Sequence, residues 1–388
     1  MGMISAIRRM RSARLARPDR RVDAGSSVCR CVVIPQPFVP THHRDVASDL
    51  REQQRLRLVS IIWDSCLAQL LYALVKFDVA ELLAGGPASV ETLAERSGAH
   101  APSLYRLLRA AVTVDLLAVE GKLFQLTSAG QLLRAGTSGS LRNTILLYGS
   151  EDKWRSWGAL DYSVRTGQDA YQYLFGQSYF ERLSGQPEQQ AIFNSTMAGL
   201  SRAVSQAVRE HPEIARCRRM VDVGGGSGGM LAGILPAHTH MRGVLYDTES
   251  GLVEADATLS AAGVRDRCEI VSGDFFKSVP EGADGYLLKH ILHDWDDERA
   301  TTVLRRCREA LSADGRMLVI ESVVPATPSE LSKGILLRDL NMLTCLPGRE
   351  RTQAEFAELF RKCDLKLESV TPLPPPGQPY SLLVAVPG

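Results

Sequence analysis

Met220-Val221-Asp222-Val223-Gly224-Gly225-Gly226-Ser227-Gly228-Gly229-Met230-Leu231 decides the fold of this 388-residue chain. Met220 to Val223 is apolar but for one carboxylate, which predicts a buried strand, and glycines follow at once. From Met230 the spacing Met230-Leu231-Ile234-Leu235 is that of a helix. Strand, glycine turn and helix together open a nucleotide-binding α/β sheet. Glycine lets the backbone turn sharply and approach a ligand, while the helix N-terminus presents N–H groups without partners.

Two ligands suit the spacing. Gly224, Gly226 and Gly229 fit G-x-G-x-x-G, the dinucleotide fingerprint, which alone is weak. Asp222, Gly224, Gly226 and Gly228 also fit D-x-G-x-G-x-G. A carboxylate just before the turn would repel a pyrophosphate but attract the ammonium group of S-adenosylmethionine (SAM). A tight turn with no ligand is the lesser alternative; among ligands SAM is favoured.

Downstream, strand and helix patterns alternate. Gly243 to Asp247 predicts a second strand whose final acid, 23 residues after Gly224, stands where a ribose hydroxyl would bind. Cys268 to Phe275 predicts a third, ending in Asp274 beside Phe275. Adenine needs a ring to stack on and an acceptor for its amino group, and this pair offers both. Gly285 to Lys289 and Arg316 to Glu321 read as fourth and fifth strands, with Lys366 to Val370 and Tyr380 to Val386 closing the series. The expected architecture is α/β: a doubly wound, mostly parallel, Rossmann-like sheet with ligands at its carboxyl strand ends.

Ahead of the sheet, apolar residues from Leu56 to Leu74 recur at helical spacing. Ser89 to Glu95 reads as a helix with a Ser-x-x-Thr start, Ala101-Pro102-Ser103 opens another, and Leu123 to Thr127 makes a short strand. Helix, turn, helix and wing form a winged-helix pattern. Its recognition helix carries Arg106 and Arg109 among the core positions Leu104, Leu107 and Leu108, without a basic stripe. A scaffold or dimerisation role is therefore expected rather than nucleic-acid binding. Ten of the 24 aromatic residues fall between Leu141 and Pro212, and an ordinary helical core accounts for most of them. Helices that join two domains can line a pocket for a flat apolar substrate, and Trp154, Phe193 and Met197 are candidates.

Residues 1 to about 50 stand apart. Seven arginines fall in the first 21 positions, and Pro18, Pro35, Pro37 and Pro40 break any periodicity. No apolar segment follows Arg8-Arg9, so an export signal is not expected and a disordered basic tail is. The expected organisation is a tail over 1–50, a winged-helix dimerisation domain over 51–150, a helical connector over 151–212 and a SAM-binding domain over 213–388. A net charge of +1 argues for neither nucleic acid nor an anionic membrane. The eight cysteines are scattered, with Cys29-x-Cys31 the only close pair, so a reduced, cytoplasmic protein without a zinc site is expected. No apolar run reaches membrane-spanning length.

The fourth strand runs into Lys289-His290-Ile291-Leu292-His293-Asp294-Trp295-Asp296-Asp297-Glu298. His293 stands just past a carboxyl strand end, where an imidazole could take a proton from a phenol near neutral pH. A lone histidine is more often structural. The acids from Asp294 to Glu298 suggest magnesium or, more simply, an N-cap with an acidic first turn. Glu321 ends the fifth strand and Glu350 lies in the loop Pro347 to Thr352. A carboxylate beside imidazole fixes its tautomer and stabilises the imidazolium, although either could pair with Arg349 or Arg351 instead.

Val221-Asp222-Val223-Gly224-Gly225-Gly226-Ser227-Gly228, Gly273-Asp274-Phe275-Phe276, Leu292-His293-Asp294-Trp295 and Gly348-Arg349-Glu350-Arg351-Thr352 occur in this order. From about residue 55 onward the chain thereby resembles the SAM-dependent O-methyltransferases of the plant caffeate and flavonoid type, and their bacterial relatives acting on aromatic metabolites. The resemblance implies a homodimer, metal-independent transfer to a small aromatic hydroxyl compound, and SAM contacts from Gly224, Asp247, Asp274, Phe275 and Lys289. It makes His293 the base, flanked by Glu321 and Glu350, with Asp294, Asn341 and Met342 toward the substrate. Thr248-Glu249-Ser250 replaces the usual Leu-Pro after Asp247. Some bacterial relatives have exchanged methyl transfer for decarboxylation or hydroxylation; retention of His293, Glu321 and Glu350 argues for transfer. An NAD-dependent oxidoreductase is disfavoured by the acid before the glycines, and a SAM-sensing winged-helix regulator by the weak basic surface.

Overall fold

The computed structural model describes residues 46–376 and 379–388. The basic tail therefore lies outside the described residues except at its end, where Val46 already begins a helix. The chain divides into two units, Met1–Arg57 and Leu58–Gly388.

The Leu56–Leu74 pattern resolves into two helices, Val46–Asp64 and Leu67–Lys76. Between them the Ser65 hydroxyl donates to the Ile62 carbonyl at 2.6 Å, competing with the helical ladder. Ser89 caps Val90–Ser97 by accepting from the Thr92 N–H at 3.3 Å, and Ala101–Thr113 starts with Pro102 in its first turn. Strand β1 (Ala88–Ser89) adds to an antiparallel hairpin of β2 (Leu117–Glu120) and β3 (Leu123–Leu126). Leu74, Leu93, Leu104, Leu108, Leu117 and Phe124 fill this core. Outside it, Leu58, Ile61, Ile62 and Trp63 are 55–69 % exposed. Helical residues Asp49–Lys76 are long and apolar enough to cross a membrane, with mean hydropathy 1.8 and 11 % of the apolar window buried. That corrects the expectation from the linear pattern, where Asp64, Ser65 and Gln69 interrupt the run. By length and composition alone, such a stretch suits a protein interface as well as lipid.

The main sheet contains β4 (Arg219–Val223), β5 (Arg242–Asp247), β6 (Cys268–Ser272), β7 (Ala283–Lys289) and β8 (Leu311–Glu321). A two-stranded annex pairs β9 (Val323–Val324) with β10 (Arg351–Thr352), and β11 (Leu365–Pro372) and β12 (Ser381–Pro387) complete the sheet. Its order is β11-β12-β8-β7-β4-β5-β6. Strands β4 to β8 are parallel, whereas β12 runs antiparallel to both of its neighbours. Alternate residues feed opposite cores, as burial on both faces of a parallel sheet requires. Val221, Val223, Tyr286 and Val319 pack with Val303 and Phe356, while Met220, Leu245, Leu287 and Ile320 pack with Met230 and Val204. The strand order reverses between β4 and β7, and the crevice beyond their carboxyl ends is where an open α/β sheet takes its ligand.

Candidate active site

The glycine turn forms one wall of that crevice. Gly224 and Gly225 donate to the Tyr246 carbonyl at 2.8 and 3.3 Å, pinning the turn to β5. Gly224 and Gly226 have φ of 70° and 55°, a region open chiefly to glycine. A Cβ on Gly224 would collide with Ile291 and touch Phe275, whereas one on Gly226 would meet nothing. The groove is thus tight at its floor and open at its mouth. Asp247, ending β5, accepts from the Gly226 N–H at 2.8 Å and the Thr248 N–H at 2.6 Å. Burial raises its pKa, and these donors pull it back. Asp274 lies past the end of β6 rather than in it, because the ladder stops at Ser272; its Oδ1 accepts from the Phe276 N–H at 3.0 Å. Lys289 is buried, which brings its ammonium down to about 8. Asp222 is 1 % exposed, and burial pushes its carboxyl up to about 7 against the pull of Lys289. Its Oδ2 has no hydrogen-bond partner among the described residues. A buried, unsatisfied carboxylate beside an open glycine face fits a ligand that carries an ammonium group.

The second wall is the 3₁₀ turn Leu292–Asp294 past β7. Glu321, the last residue of β8, accepts from the backbone N–H groups of Ile291, Leu292 and His293 at 3.0, 2.9 and 3.3 Å. Arg351 is fully buried and donates to the carbonyls of Leu292 and Trp295 at 2.7 and 2.8 Å while pairing with Asp297 at 2.8 Å. A Cβ on Gly348 would strike the His293 carbonyl and the backbone of Asp294 and Trp295, so only glycine fits there.

His293 Nδ1 lies 3.1 Å from Glu350 Oε1 and 3.6 Å from Glu321 Oε2; Nε2 is 3.4 Å from Asp294 Oδ1. The Glu350 N–H is fixed by Asp339 at 2.9 Å. Burial pushes the imidazole pKa down, but Glu321, Asp294 and Glu350 outweigh it and carry the pKa up to about 10. Burial raises Asp294 to about 6 and Glu321 to about 7. Neither glutamate is diverted to an arginine: Arg349 pairs with Glu355 at 2.8 Å and Asp297 at 3.0 Å. One ligand atom each of His293, Glu321 and Glu350 lies within 4.8 Å of the others, compact enough to hold an ion as well as a shared proton. The acidic stretch that follows starts a helix, Asp296 capping Asp297–Ala310 through the Arg299 N–H at 2.8 Å.

Facing this turn are aromatic rings. Asn341 and Met342, on Lys333–Cys345, are both buried. Asn341 Oδ1 accepts from the Trp157 indole at 3.3 Å, and Met342 clusters with Tyr171, Tyr179, Phe180 and Phe193. Phe180 lies 5.9 Å from Trp295, joining the cluster to the histidine turn. Met197, one turn beyond Phe193, is half-buried. Trp154 is 43 % exposed, because helix Glu151–Gly158 turns Lys153 and Ser156 inward. Trp157, not Trp154, reaches Asn341. Lys153 was not singled out by sequence, nor was Arg351 expected to be buried, since long charged side chains are rarely buried and their pattern carries no burial signal.

A Rossmann-like sheet with this glycine turn, an unsatisfied acid before it and a histidine among carboxylates at the switch point defines a SAM-dependent methyltransferase. The O-methyltransferase domain family matches residues 157–364 and the O-methyltransferase dimerisation domain matches 60–136, and the chain belongs to this O-methyltransferase family. It is 37 % identical to phenazine O-methyltransferase PhzM of Lysobacter antibioticus over 82 % of this chain and 92 % of that one. The mitomycin 7-O-methyltransferase MmcR superposes with a TM-score of 0.82 at 31 % identity, over 88 % of this chain and all of that one. The neocarzinostatin-biosynthesis O-methyltransferase NcsB1, solved with SAM and 2-hydroxy-5-methyl naphthoic acid, gives 0.72 at 33 % identity, over 83 % and 96 %. The chain is a SAM-dependent O-methyltransferase whose N-terminal part carries a dimerisation domain.

Proposed function

We propose that this enzyme methylates a phenolic hydroxyl on a small aromatic secondary metabolite, as a cytoplasmic homodimer, without a metal and with His293 as general base. The observation that carries the proposal is the buried His293 imidazole, held by Glu350 at Nδ1 and by Glu321 through its own backbone, beside the glycine turn. The relatives' acceptors, phenazine and mitomycin by name, and the aromatic wall around Met342 support a flat acceptor. All six described cysteines are unpaired, in keeping with a reducing compartment.

SAM, when bound, supplies a methyl group made electrophilic by its sulfonium. Asp222 would meet its ammonium, Gly224 and Gly226 would let the backbone approach, and Asp247 would take the ribose hydroxyls. Asp274 and Phe275 would receive the adenine, with Lys289 beneath. Phe193, Met197, Asn341 and Met342 would face the acceptor ring, with Asp294 beside the reacting hydroxyl.

With Nδ1–H donated to Glu350, Nε2 carries the lone pair and takes the hydroxyl proton. The oxygen's electron pair then forms the bond to the methyl carbon as the methyl–sulfur bond breaks. The imidazolium is stabilised by its three carboxylates. Glu321, Asp294 and Glu350 raise the basicity of the imidazole against the effect of burial, which favours its taking the proton.

His293→Ala tests the reading. Turnover should fall by about 10²–10⁴, the range for a positioned base, while SAM affinity measured by calorimetry stays near that of the wild type. Near-normal turnover at neutral pH would make His293 structural and leave proximity as the mechanism. Failure of the wild type to bind SAM would overturn the whole proposal.

A further inference from the structure

Glu321 and Glu350 both lie against His293 Nδ1, but they are held in different ways. Oε1 of Glu321 collects the backbone N–H groups of Ile291, Leu292 and His293, so that side chain is fixed by its own contacts. The Glu350 carboxylate has one hydrogen bond among the described residues, accepted by Oε1 from Nδ1 at 3.1 Å, and its buried Oε2 has none. Its place must therefore come from its backbone, and there the Glu350 N–H donates to Asp339 Oδ1 at 2.9 Å. Asp339 is half-buried on helix Lys333–Cys345, and among the described residues no ion pair engages it. The nearest cations in sequence are committed elsewhere. Arg338 donates to the Tyr380 hydroxyl at 2.8 Å, and Arg349 pairs with Glu355 at 2.8 Å and Asp297 at 3.0 Å. Burial raises the Asp339 carboxyl and the Glu350 N–H pulls it back, with Arg349, Glu350 and Glu355 the charges that bear on it.

A carboxylate kept partly out of water without a cation is costly, and one N–H offsets only part of that. We propose that Asp339 is a positioning residue for the transfer: by anchoring the Glu350 backbone it holds the Glu350 carboxylate on His293 Nδ1. The inference rests on His293 acting as the base, as read above. A carboxylate at Nδ1 fixes the tautomer and stabilises the imidazolium, so a loosened Glu350 weakens the base. The other titratable groups facing the imidazole are Glu321 on β8, Asp294 in the turn, and the His290 ring 5.2 Å away, next to Lys289. Were Asp339 only a part of the helix that carries Asn341 and Met342, its loss would leave the imidazole as it was.

The test is an NMR titration of His293 in the full-length enzyme loaded with S-adenosylhomocysteine. Histidines carry carbon-13 at Cε1, and His293→Ala assigns the signal. Asp339→Ala should lower the His293 midpoint by up to about one to three units, the effect of one charged neighbour. SAM affinity by calorimetry should stay at the wild-type value. Asp339→Asn should keep the wild-type midpoint, since its amide oxygen accepts from the same N–H. In a Glu350→Gln background Asp339→Ala should move the midpoint no further, because its effect runs through Glu350. If Asp339→Ala no longer binds SAM, Asp339→Leu takes its place. The proposal is overturned by a midpoint that ignores loss of the carboxylate, by Asp339→Asn behaving like Asp339→Ala, or by a shift that persists beside Glu350→Gln. Near-normal turnover of His293→Ala would sink the base reading and the positioning role with it. An impaired His293→Ala enzyme, with a His293 titration that does not answer to Asp339, would sink only the role of Asp339.

Discussion

Burial alone would drive the His293 imidazole neutral, yet Glu321, Asp294 and Glu350 carry its pKa up to about 10. At neutral pH the free imidazole therefore holds a proton, and Nε2 becomes a base only as that proton leaves. A sulfonium bound nearby opposes the carboxylates and lowers the value again. Turnover should accordingly rise with pH from neutrality toward a plateau. Glu350→Gln keeps the shape but removes a negative charge 3.1 Å from Nδ1. The imidazolium is then less stable, its pKa falls, and the basic limb should move to lower pH by about one to three units, the usual effect of one charged neighbour. The measurement is kcat against pH for wild type, Glu350→Gln and His293→Ala, the last reporting ionisation of the acceptor alone. A limb that Glu350→Gln leaves in place would mean that Glu350 does not set the basicity of His293.

The histidine turn is an element made elsewhere in the sequence. Glu321 takes three of its N–H groups, and Arg351 takes two of its carbonyls from β10, 56 or more residues away. Arg351→Met keeps much of the volume but leaves the Leu292 and Trp295 carbonyls without a donor, at about 1–3 kcal/mol for each unsatisfied group. Urea unfolding should show that loss, and an unchanged midpoint would mean that the turn stands without Arg351. Little of this was legible. Strands β4, β5, β7 and β8 read clearly, because burial on both faces writes itself as a short apolar run between turn signals. β6 was read three residues too long, since apolarity does not say where a ladder stops pairing. Glu321 was visible as a strand end, but its grip on the next turn depends on β8 lying beside β7, which one-dimensional spacing does not encode. Periodicity could likewise report that the helix with Trp154 and Trp157 was aromatic. Which tryptophan points inward followed only once Lys153, against its ordinary preference, was seen to be buried.

On the scale of the molecule, the unit Leu58–Gly388 has filled cores yet exposes Leu58, Ile61, Ile62 and Trp63 on one helix end, and the dimerisation-domain match begins at residue 60. A surface of this kind is stable in water when a second copy covers it, and in a twofold dimer each residue counts twice. Trp63→Asp removes one large apolar side chain from each partner and puts a charge in its place. Burying such a side chain contributes about 1.5–3 kcal/mol, so two copies amount to about 3–6 kcal/mol, or about 10²–10⁴ in the dimer dissociation constant. Sedimentation equilibrium on wild type and variant measures that shift, and flotation with lipid vesicles asks whether the same helix prefers a membrane. A wild type that is monomeric at every concentration, or a variant whose dissociation constant does not move, would remove this helix from the interface. The histidine, its carboxylates, the glycine turn and Asn341 all come from a single unit of a single chain. The Trp63→Asp monomer should therefore keep its SAM affinity; a variant that loses dimer and SAM together while still folded would mean that the partner supports the cofactor groove.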